Sequence, residues 1–594
     1  MIGLLSIYAF MQVSAYDFYE TNKDGVRIYY DFQNGNFNRV IVAESPLYSY
    51  EGVINIPDSV TYEGVRYGVE TIGANAFSFC DRLTEVTFPP NMKTIREFAF
   101  RRCRNLTSIH ATEGVTTIRD RAFSDCGAVK ELSFSDNLTA IGANAFEYCK
   151  SLESITLGNR VTEIDRQAFV TCESLKSIIL PESLKTISEE TFLYCNSLTD
   201  VSIPNSVTTI RDGAFAACVG LKSFTIPDGV EYIGKDVFFL CSGLEEFIVS
   251  DNNKNFATID GVLTNKEKTI LVQFPKAKSS DIIIPESIEI IGERAFEGCV
   301  NVNSITMSDH VTTLAPGAFE GCENLKKITL SSNIDSIGSN AFRECKTLES
   351  FDFPENITNI SDHIFYGCTG LKSVTMSDNV ITIGIEAFWN CNILKDMELS
   401  KNIISIGDYA FTSCISWANN ITLEKVVSIG EWAFWGCGNE ELVLGAKLKE
   451  IGNAAFVNML ELKVVYNLNP TPIVPQGGLY YIPWNNHYYN IPPPIMYVPV
   501  GSGDAYRNIP AWNVFNIEES EHVENEAINR ESVTIVPAFG GITINSTAPV
   551  QAFIYSITGQ MVVQQSFTGR LDIQLQRGLY FVKTNRITKK VMVQ

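Results

Sequence analysis

The sequence predicts a solenoid of stacked coils, with parallel β-strands, short helical or 3₁₀ turns and a 23-residue period, followed by a small antiparallel β-sandwich. Three observations predict it: cysteines recur every 23 residues, a phenylalanine stands three residues before each cysteine, and apolar residues alternate with polar ones after it. A fixed period of this length indicates units that stack and share one core, because one such unit cannot bury its apolar side alone.

The cysteines define the period. The fifteen cysteines form two runs with the same 23-residue step: Cys80, Cys103, Cys126, Cys149, Cys172, Cys195, Cys218 and Cys241, then Cys299, Cys322, Cys345, Cys368, Cys391, Cys414 and Cys437. Phe456 marks a sixteenth coil that has lost its cysteine. Cysteines at the same place in every coil are expected to form a file inside the solenoid, as buried, reduced thiols beside the phenylalanines. Disulfides are the alternative, since Cα atoms about 5 Å apart are close enough to be bridged.

Each coil divides into three segments, and the coil that starts at Cys195 shows them. Apolar, β-branched residues alternate with polar ones up to Pro204, which predicts a strand with one buried face that the proline ends. The Val-x-x-Ile segment that follows predicts a second, short extended piece. The Ala-Phe-x-x-Cys segment predicts one helical or 3₁₀ turn that brings the chain round.

The motifs Leu-x-x-Ile-x-Ile-Pro, Val-x-x-Ile-Gly and Ala-Phe-x-x-Cys together resemble the BspA-like leucine-rich repeat family, over about residues 50–515. The resemblance implies a leucine-rich repeat solenoid. It also implies a surface or secreted protein of a host-associated bacterium or parasite that adheres to host matrix proteins and to other cells. The repeats themselves indicate only an extended surface.

The expected domains follow from these patterns: a signal peptide (1–15), an N-terminal β-hairpin cap (16–57), repeats (58–462), a C-terminal cap (463–517), a linker (518–531) and the β-sandwich (532–594). Residues 1–15 fit a signal peptide because they are mostly apolar and end in Val13-Ser14-Ala15, small residues that a signal peptidase reads. A buried hydrophobic strand is the alternative for this segment.

An insertion interrupts the repeats at about residues 251–285, where two neighbouring cysteines are 58 residues apart. Its alternating segments predict a β-hairpin excursion, which the related family also carries. Either it breaks the superhelical twist of the solenoid, or it contributes a ligand site.

The C-terminal segment contains about seven short alternating stretches. Ile554-Tyr-Ser-Ile-Thr-Gly559, Gly578-Leu-Tyr-Phe-Val582 and Lys589-Lys590 resemble the C-terminal sorting domain of type IX secretion cargo. The resemblance implies a Bacteroidetes-type bacterium, secretion machinery as a partner, and a location outside the cell or on the outer-membrane surface. An ordinary immunoglobulin-like module is the alternative.

Composition and motifs argue against several functions. The formal net charge of −22 disfavours nucleic acid and anionic membranes as partners. After residue 15, no apolar stretch approaches the roughly 18 residues that a membrane span needs. The five histidines lack metal-ligand spacing, and no phosphate-binding loop, dinucleotide motif or nucleophile elbow is present. The sequence therefore predicts no cofactor and no enzyme activity.

Two aromatic groups are the candidate ligand-binding residues. The first is a possible exposed stripe directly after the repeat phenylalanines, formed by Tyr366, Trp389 and Trp435. The second is a proline-flanked cluster: Tyr480, Tyr481, Trp484, Tyr488 and Tyr489. Local packing against the repeat edge is the alternative for the stripe, and capping of the last repeat is the alternative for the cluster.

These observations predict a non-catalytic secreted or cell-surface binding protein. Its expected partner is a host extracellular protein or glycan. The resemblance to the BspA-like family implies an adhesin that contacts matrix proteins or other cells. A glycan-capturing or purely structural surface protein is the alternative. A secreted hydrolase is the third possibility, because type IX cargo proteins are often enzymes.

Overall fold

A computed structural model describes residues 16–33, 38–110, 112–278, 280–479, 492–521, 523, 534–538, 541–556, 560–584 and 588–593. The predicted signal peptide lies outside the described residues. The chain divides into two units: the first runs to Ile357 and includes Ser361–Leu371, and the second contains Thr358–Ile360 and the residues from Lys372 onward.

Each regular coil contributes one longer strand after its cysteine and one two-residue strand. In the first unit the longer strands are Gly52–Asn55, Leu83–Thr87, Ser108–His110, Glu131–Ser133, Ser154–Thr156, Ser177–Ile179, Asp200–Ser202, Ser223–Ile226, Glu246–Val249, Ser280–Ile283, Val302–Thr306, Lys327–Thr329 and Ser350–Asp352. In the second unit they are Ser373–Thr375, Asp396–Met397, Ile421–Leu423, Glu441–Leu444, Val464–Asn467, Ile495–Pro499 and Asn516–Ser520.

The two-residue strands come from the Val-x-x-Ile segments. In the first unit they are Thr94–Ile95, Thr117–Ile118, Ala140–Ile141, Glu163–Ile164, Thr186–Ile187, Thr209–Ile210, Tyr232–Ile233, Ile290–Ile291, Thr313–Leu314 and Ser336–Ile337. In the second unit they are Asn359–Ile360, Thr382–Ile383, Ser405–Ile406, Ser428–Ile429 and Glu450–Ile451.

Neighbouring coils pair in parallel and in register. Glu131 lies opposite Ser154, and Ser177 lies opposite Asp200, so residues 23 positions apart stand side by side. The predicted solenoid of parallel strands with a 23-residue period is therefore confirmed. Equivalent side chains form columns along each unit.

The Ala-Phe-x-x-Cys segment turns the chain without forming a regular helix. The residues five and one before each cysteine adopt left-handed backbone conformations, as Phe98 (φ 60°) and Arg102 (φ 63°) do. With this backbone, every second amide faces the next coil. The N–H groups of Phe98, Phe100 and Arg102 donate to carbonyls 22 residues later at 3.0, 2.7 and 2.8 Å. We call these three bonds per coil the amide ladder.

Phenylalanine rings and thiols fill the interior beside the ladder. Phe146, Phe169 and Phe192 are buried and stack with ring centroids 5.3 and 5.5 Å apart and nearly parallel planes. The thiols of Cys126 and Cys149 donate to the carbonyl of the phenylalanine 26 residues earlier, at 3.0 and 3.2 Å. These contacts bind each coil to the one before it.

All fifteen cysteines are buried and free. Burial raises the pKa of the Cys149, Cys195 and Cys241 thiols to about 12, and a hydrogen bond from the backbone of the cysteine one coil earlier only partly offsets this effect. The thiols are therefore protonated core groups and poor nucleophiles.

Antiparallel strands precede the first coil. Phe18–Thr21, Arg27–Phe32 and Arg39–Val42 pair in sequence, and the last two form the hairpin that the sequence predicts in this region. A further hairpin, Ser59–Tyr62 with Val65–Ile72, was not predicted. Its two-residue turn, Glu63-Gly64, has positive φ at both positions, which suits a tight hairpin.

The insertion forms three antiparallel strands, Phe256–Ile259, Val262–Asn265 and Ile270–Gln273. The last strand pairs in parallel with Ile290–Ile291 and so takes the place of a two-residue strand. Phe274 stacks on Phe296 at 4.6 Å, so the phenylalanine file resumes after the insertion.

The short regular helices are Pro46–Tyr48 and Thr112–Gly114, both 3₁₀, and the α-helix Gly503–Arg507. After this α-helix, Trp512 is buried, and its indole N–H donates to the carbonyl of Ile473 at 2.8 Å. This segment thus packs on residues that follow the last repeat strands.

The C-terminal strands are Thr534–Ala538, Gly541–Ser556, Met561–Gln574, Gly578–Thr584 and Thr588–Val593. They form one antiparallel sheet, in which two long strands replace several of the seven short segments that the sequence predicts. A register shift between Ser546 and Val550 divides the pairing of the two long strands, Gly541–Ser556 and Met561–Gln574, into two parts. One cluster of buried apolar residues includes side chains from both parts. The predicted antiparallel region is present, with fewer and longer strands.

The raised thiol pKa values predict alkaline instability. Below pH 9, thiols are protonated in both the folded and the unfolded chain, so their contribution to stability is fully present. Above pH 9, the unfolded chain ionises them while the folded chain does not, so stability falls by about 1.4 kcal/mol per pH unit for each thiol. The thermal midpoint, measured by calorimetry at pH 8 to 10, should fall steeply.

Replacing Cys126, Cys149 and Cys172 by alanine should make this fall shallower, since three fewer protons are released. An unchanged slope would contradict the buried-thiol interpretation.

Candidate functional site

The strand face consists of the residues five and seven positions after each cysteine. Ser154 and Thr156 are exposed on it, while Ile155 between them is buried. Most positions of this face carry hydroxyl or carboxylate groups, but Ile179 projects with 74% of its surface exposed. Such a face can form many hydrogen bonds, yet it lacks the tryptophan and arginine anchors that dominate strong interfaces.

The turn face consists of the residues five, two and one positions before each cysteine. The left-handed conformation of the residue before the cysteine projects large side chains outward, and Tyr148 and Tyr194 are 45% and 47% exposed. The stripe predicted from Tyr366, Trp389 and Trp435 lies at the second of these positions. The turn face therefore carries the predicted candidates that the structure describes.

Tyr366 is partly buried because an arginine covers its ring. The guanidinium of Arg343 lies 4.3 Å from the centroid of the Tyr366 ring. The centroid of the His363 ring lies 6.3 Å from that of Tyr366. Arg343 also pairs with Glu320 at 3.6 Å. Local packing accounts for this residue, as the alternative interpretation states.

Trp435 belongs to an aromatic patch in the second unit, which we define as Tyr409, Trp432 and Trp435. The Tyr409 and Trp432 rings are nearly parallel with centroids 6.3 Å apart, and Trp432 and Trp435 are also 6.3 Å apart. All three side chains are partly buried. Trp389 lies two coils earlier, and the buried Thr412 occupies the equivalent position in the coil between Trp389 and Trp435.

Carboxylates surround the aromatic patch. The indole N–H of Trp432 donates to Glu431 at 2.9 Å. Burial raises the pKa of Tyr409, and the negative charges of Glu431, Asp408 and Glu386 raise it further. The patch therefore offers ring faces inside a negative field, an arrangement that attracts ammonium and guanidinium groups.

Sequence reasoning missed Tyr409, although a signal exists. Tyr409 occupies the position five before its cysteine, as Trp432 does one repeat later. A comparison of the residues five before each cysteine, in addition to those directly after each phenylalanine, would have identified Tyr409 and Trp432 together.

The predicted cluster Tyr480, Tyr481, Trp484, Tyr488 and Tyr489 lies outside the described residues. In the described segment that follows it in the sequence, Tyr506 and Trp512 are each 1% exposed and meet edge to face at 5.5 Å.

A second group on the turn face was also missed. The Arg101 guanidinium lies 5.6 Å from the Phe79 ring and 5.4 Å from the Phe98 ring, and Arg102 lies 5.3 Å from Phe79. Phe98, Arg101 and Arg102 border a groove of about 540 Å³ that reaches Tyr148. The sequence feature that could have identified this group is the Arg101-Arg102 pair directly before a repeat cysteine.

The BspA type leucine-rich repeat region, a family description that contains six copies of the repeat, matches residues 55–173, 139–259, 272–395 and 382–470. These overlapping matches cover more than half of the chain. The chain belongs to the BspA-type leucine-rich repeat family. No curated protein matches it significantly.

Several solved structures resemble this BspA-type chain. A leucine-rich cell surface protein from Faecalibacterium prausnitzii is 29% identical, with 64% of this chain and 94% of that chain covered and a TM-score of 0.49. The pneumococcal vaccine antigen PcpA is 17% identical, with 86% and 100% covered and a TM-score of 0.39. A leucine-rich repeat protein from Bacteroides ovatus is 22% identical, with 83% and 98% covered and a TM-score of 0.35.

Within the described part of this BspA-type chain, no group of three or more His, Cys, Asp or Glu residues is arranged to hold a metal ion. The same residues include no helix of sufficient length and apolarity to cross a membrane.

Trp417 is buried and Trp435 is partly exposed, so replacing each by alanine should lower the free energy of unfolding by different amounts. Trp417 is 1% exposed and donates to the Met397 carbonyl at 3.0 Å, so Trp417→Ala should lower the free energy of unfolding by about 3–5 kcal/mol. Trp435→Ala should lower it by no more than about 1 kcal/mol, because this ring is partly exposed. Urea titration followed by circular dichroism measures both. Equal losses would show that Trp435 is a core residue.

Proposed function

We propose that this BspA-type protein is a non-catalytic secreted or cell-surface binding protein, an adhesin that contacts host matrix proteins or other cells through its repeats. The observation that carries the proposal is the aromatic patch of Tyr409, Trp432 and Trp435. Tryptophan and tyrosine are enriched among the residues that supply most interface energy.

The charge around the patch favours a positively charged partner. The carboxylate of Glu431 lies against Trp432, and the whole chain has a net charge of −22. A protein surface with exposed lysine or arginine gains both cation–π contacts and long-range attraction. Its chemistry therefore fits basic matrix proteins better than acidic partners.

A glycan partner is the second candidate. The nearly parallel rings of Tyr409 and Trp432, with an interplanar angle of 5°, present flat apolar faces on which sugar rings stack. Neutral sugars would bind without the salt dependence that a basic protein partner requires.

Binding to immobilised extracellular-matrix proteins and to a glycan array tests the proposal. The full chain should bind at least one matrix protein, more weakly at higher salt. Trp432→Ala combined with Trp435→Ala should weaken binding at least tenfold, about 1.4 kcal/mol. The control is Tyr194→Ala, an equally aromatic turn-face residue outside the patch, which should leave binding unchanged. Binding to glycans alone would favour the second candidate, and no matrix binding would contradict the adhesin proposal.

Export is a separate part of the proposal. We propose that residues 1–15 are a signal peptide and that residues 532–594 are a type IX sorting domain, which places the protein outside a Bacteroidetes-type cell. The described C-terminal strands support a separate folding unit, because they have a cluster of buried apolar residues of their own.

Deleting residues 532–594 should retain the protein inside the cell envelope in a Bacteroidetes-type host. Immunoblots of cell fractions and culture medium measure its location, with a periplasmic marker as the control for lysis. If the shortened chain still reaches the outside, the C-terminal strands are an ordinary module.

A further inference from the structure

The amide ladder is interrupted before the insertion. In regular coils the residues five, three and one before the cysteine donate their N–H groups to the next coil, as Gly213, Phe215 and Ala217 do at 2.9, 3.1 and 2.6 Å. The equivalent N–H groups before Cys241 belong to Asp236, Phe238 and Leu240. None of these three has an acceptor among the described residues.

These N–H groups keep the ladder geometry although their acceptors are displaced. Asp236 and Leu240 have φ values of 55° and 57°, as at equivalent positions elsewhere. The three N–H groups therefore face the same way, and Asp236 and Phe238 border the space beside the insertion. Backbone N–H groups that point into a shared space can donate to a bound anion.

A cavity of about 300 Å³ occupies that space. Asp236 and Phe238 line one side, and the insertion strands contribute Leu263 and Val272. Its size is at the lower end for small-molecule sites, and its walls combine apolar side chains with charged ones, as such sites often do.

Buried charges complete the cavity. Lys276 is 4% exposed, and its ammonium donates to the carbonyl of Glu297. Glu297 is 8% exposed and accepts from Arg294 at 2.7 Å. Burial raises the pKa of Glu297 to about 7, although Arg294 and Lys276 oppose that effect.

Ion pairs across the insertion hold the two sides of the cavity together. Lys235 pairs with Glu293 at 2.8 Å, and Arg294 pairs with Asp236 at 3.4 Å, each across 58 residues of sequence. The rim is therefore fixed by side chains while the amides inside lack protein acceptors.

Lys276 itself has a structural role. In regular coils the carbonyl two residues before a cysteine accepts an amide from the preceding coil, as that of Ser124 accepts from Arg102. At Glu297 the Lys276 ammonium donates instead. This contact satisfies the Glu297 carbonyl, and it provides no acceptor for the amides of Asp236, Phe238 and Leu240.

We propose that this cavity binds the carboxylate of an apolar amino acid, either free or at the C terminus of a peptide. The N–H groups of Asp236 and Phe238, which border the cavity, donate to the carboxylate, and Leu263 and Val272 contact the apolar side chain. A carboxylate fits better than a phosphate, because the nearby acidic side chains repel a dianion more strongly than a monoanion. The site is separate from the aromatic patch, so its test is independent of the adhesin proposal.

Calorimetric titration of the full chain with three leucine derivatives tests the chemistry. N-acetyl-leucine represents a chain end, leucine represents the free amino acid, and leucinamide lacks the carboxylate. At least one of the first two should bind saturably at millimolar concentration or below, with leucinamide at least tenfold weaker. Tighter binding of leucine assigns the free amino acid, and equal or tighter binding of N-acetyl-leucine assigns the chain end. No saturable binding, or equal binding of leucinamide, overturns the proposal.

Hydrogen exchange locates the ligand without any substitution. The better-binding leucine derivative should slow amide exchange in the segment 235–241 and leave the equivalent regular segment 143–149 unchanged. Val272→Trp should fill the cavity and weaken binding at least tenfold, whereas the control Val219→Trp, at an exposed site, should not. Unchanged exchange at 235–241 would overturn the assignment even if Val272→Trp failed to fold.

Discussion

The hydrogen bonds between the turns of neighbouring coils are the interaction on which the repeat architecture depends. Two residues per coil adopt left-handed conformations, each at a cost of about 1–2 kcal/mol for a residue with a side chain. Those conformations let three amides donate to the next coil, and one buried unpaired amide costs about 1–3 kcal/mol. The hydrogen bonds therefore outweigh the strain, even where tyrosine, leucine or threonine holds the left-handed position.

Because this bonding uses the backbone, the outward side chains are free to vary. The interior is uniform: stacked phenylalanines and thiols recur in each unit, and loss of one such ring typically costs about 3–5 kcal/mol. The same turn position can then carry Arg101 in an early coil and Trp435 in a late one. Recognition chemistry changes along the chain while the folding chemistry stays constant.

The period, the parallel strands and the buried cysteines were predictable from the sequence, because each rests on spacing and on apolar residues. The left-handed turns were not predictable, since residues such as Tyr148 and Thr171 normally avoid that conformation, and here their amides donate to the next coil, a contact that spacing does not show. The candidate aromatics were found in part: spacing identified Trp435, but the covering of Tyr366 by Arg343 depends on a contact between coils that spacing does not show.

The uniform junction between coils has a consequence for how such a chain changes length. Each regular coil presents to its successor the same amides that its predecessor presented to it, so a 23-residue unit can be duplicated or lost without a new junction. A much longer segment breaks the series and needs special residues, as Lys276 shows beside the insertion. Gene duplication can therefore alter the reach of the molecule in fixed steps, and selection can retain irregular segments only where they have a use.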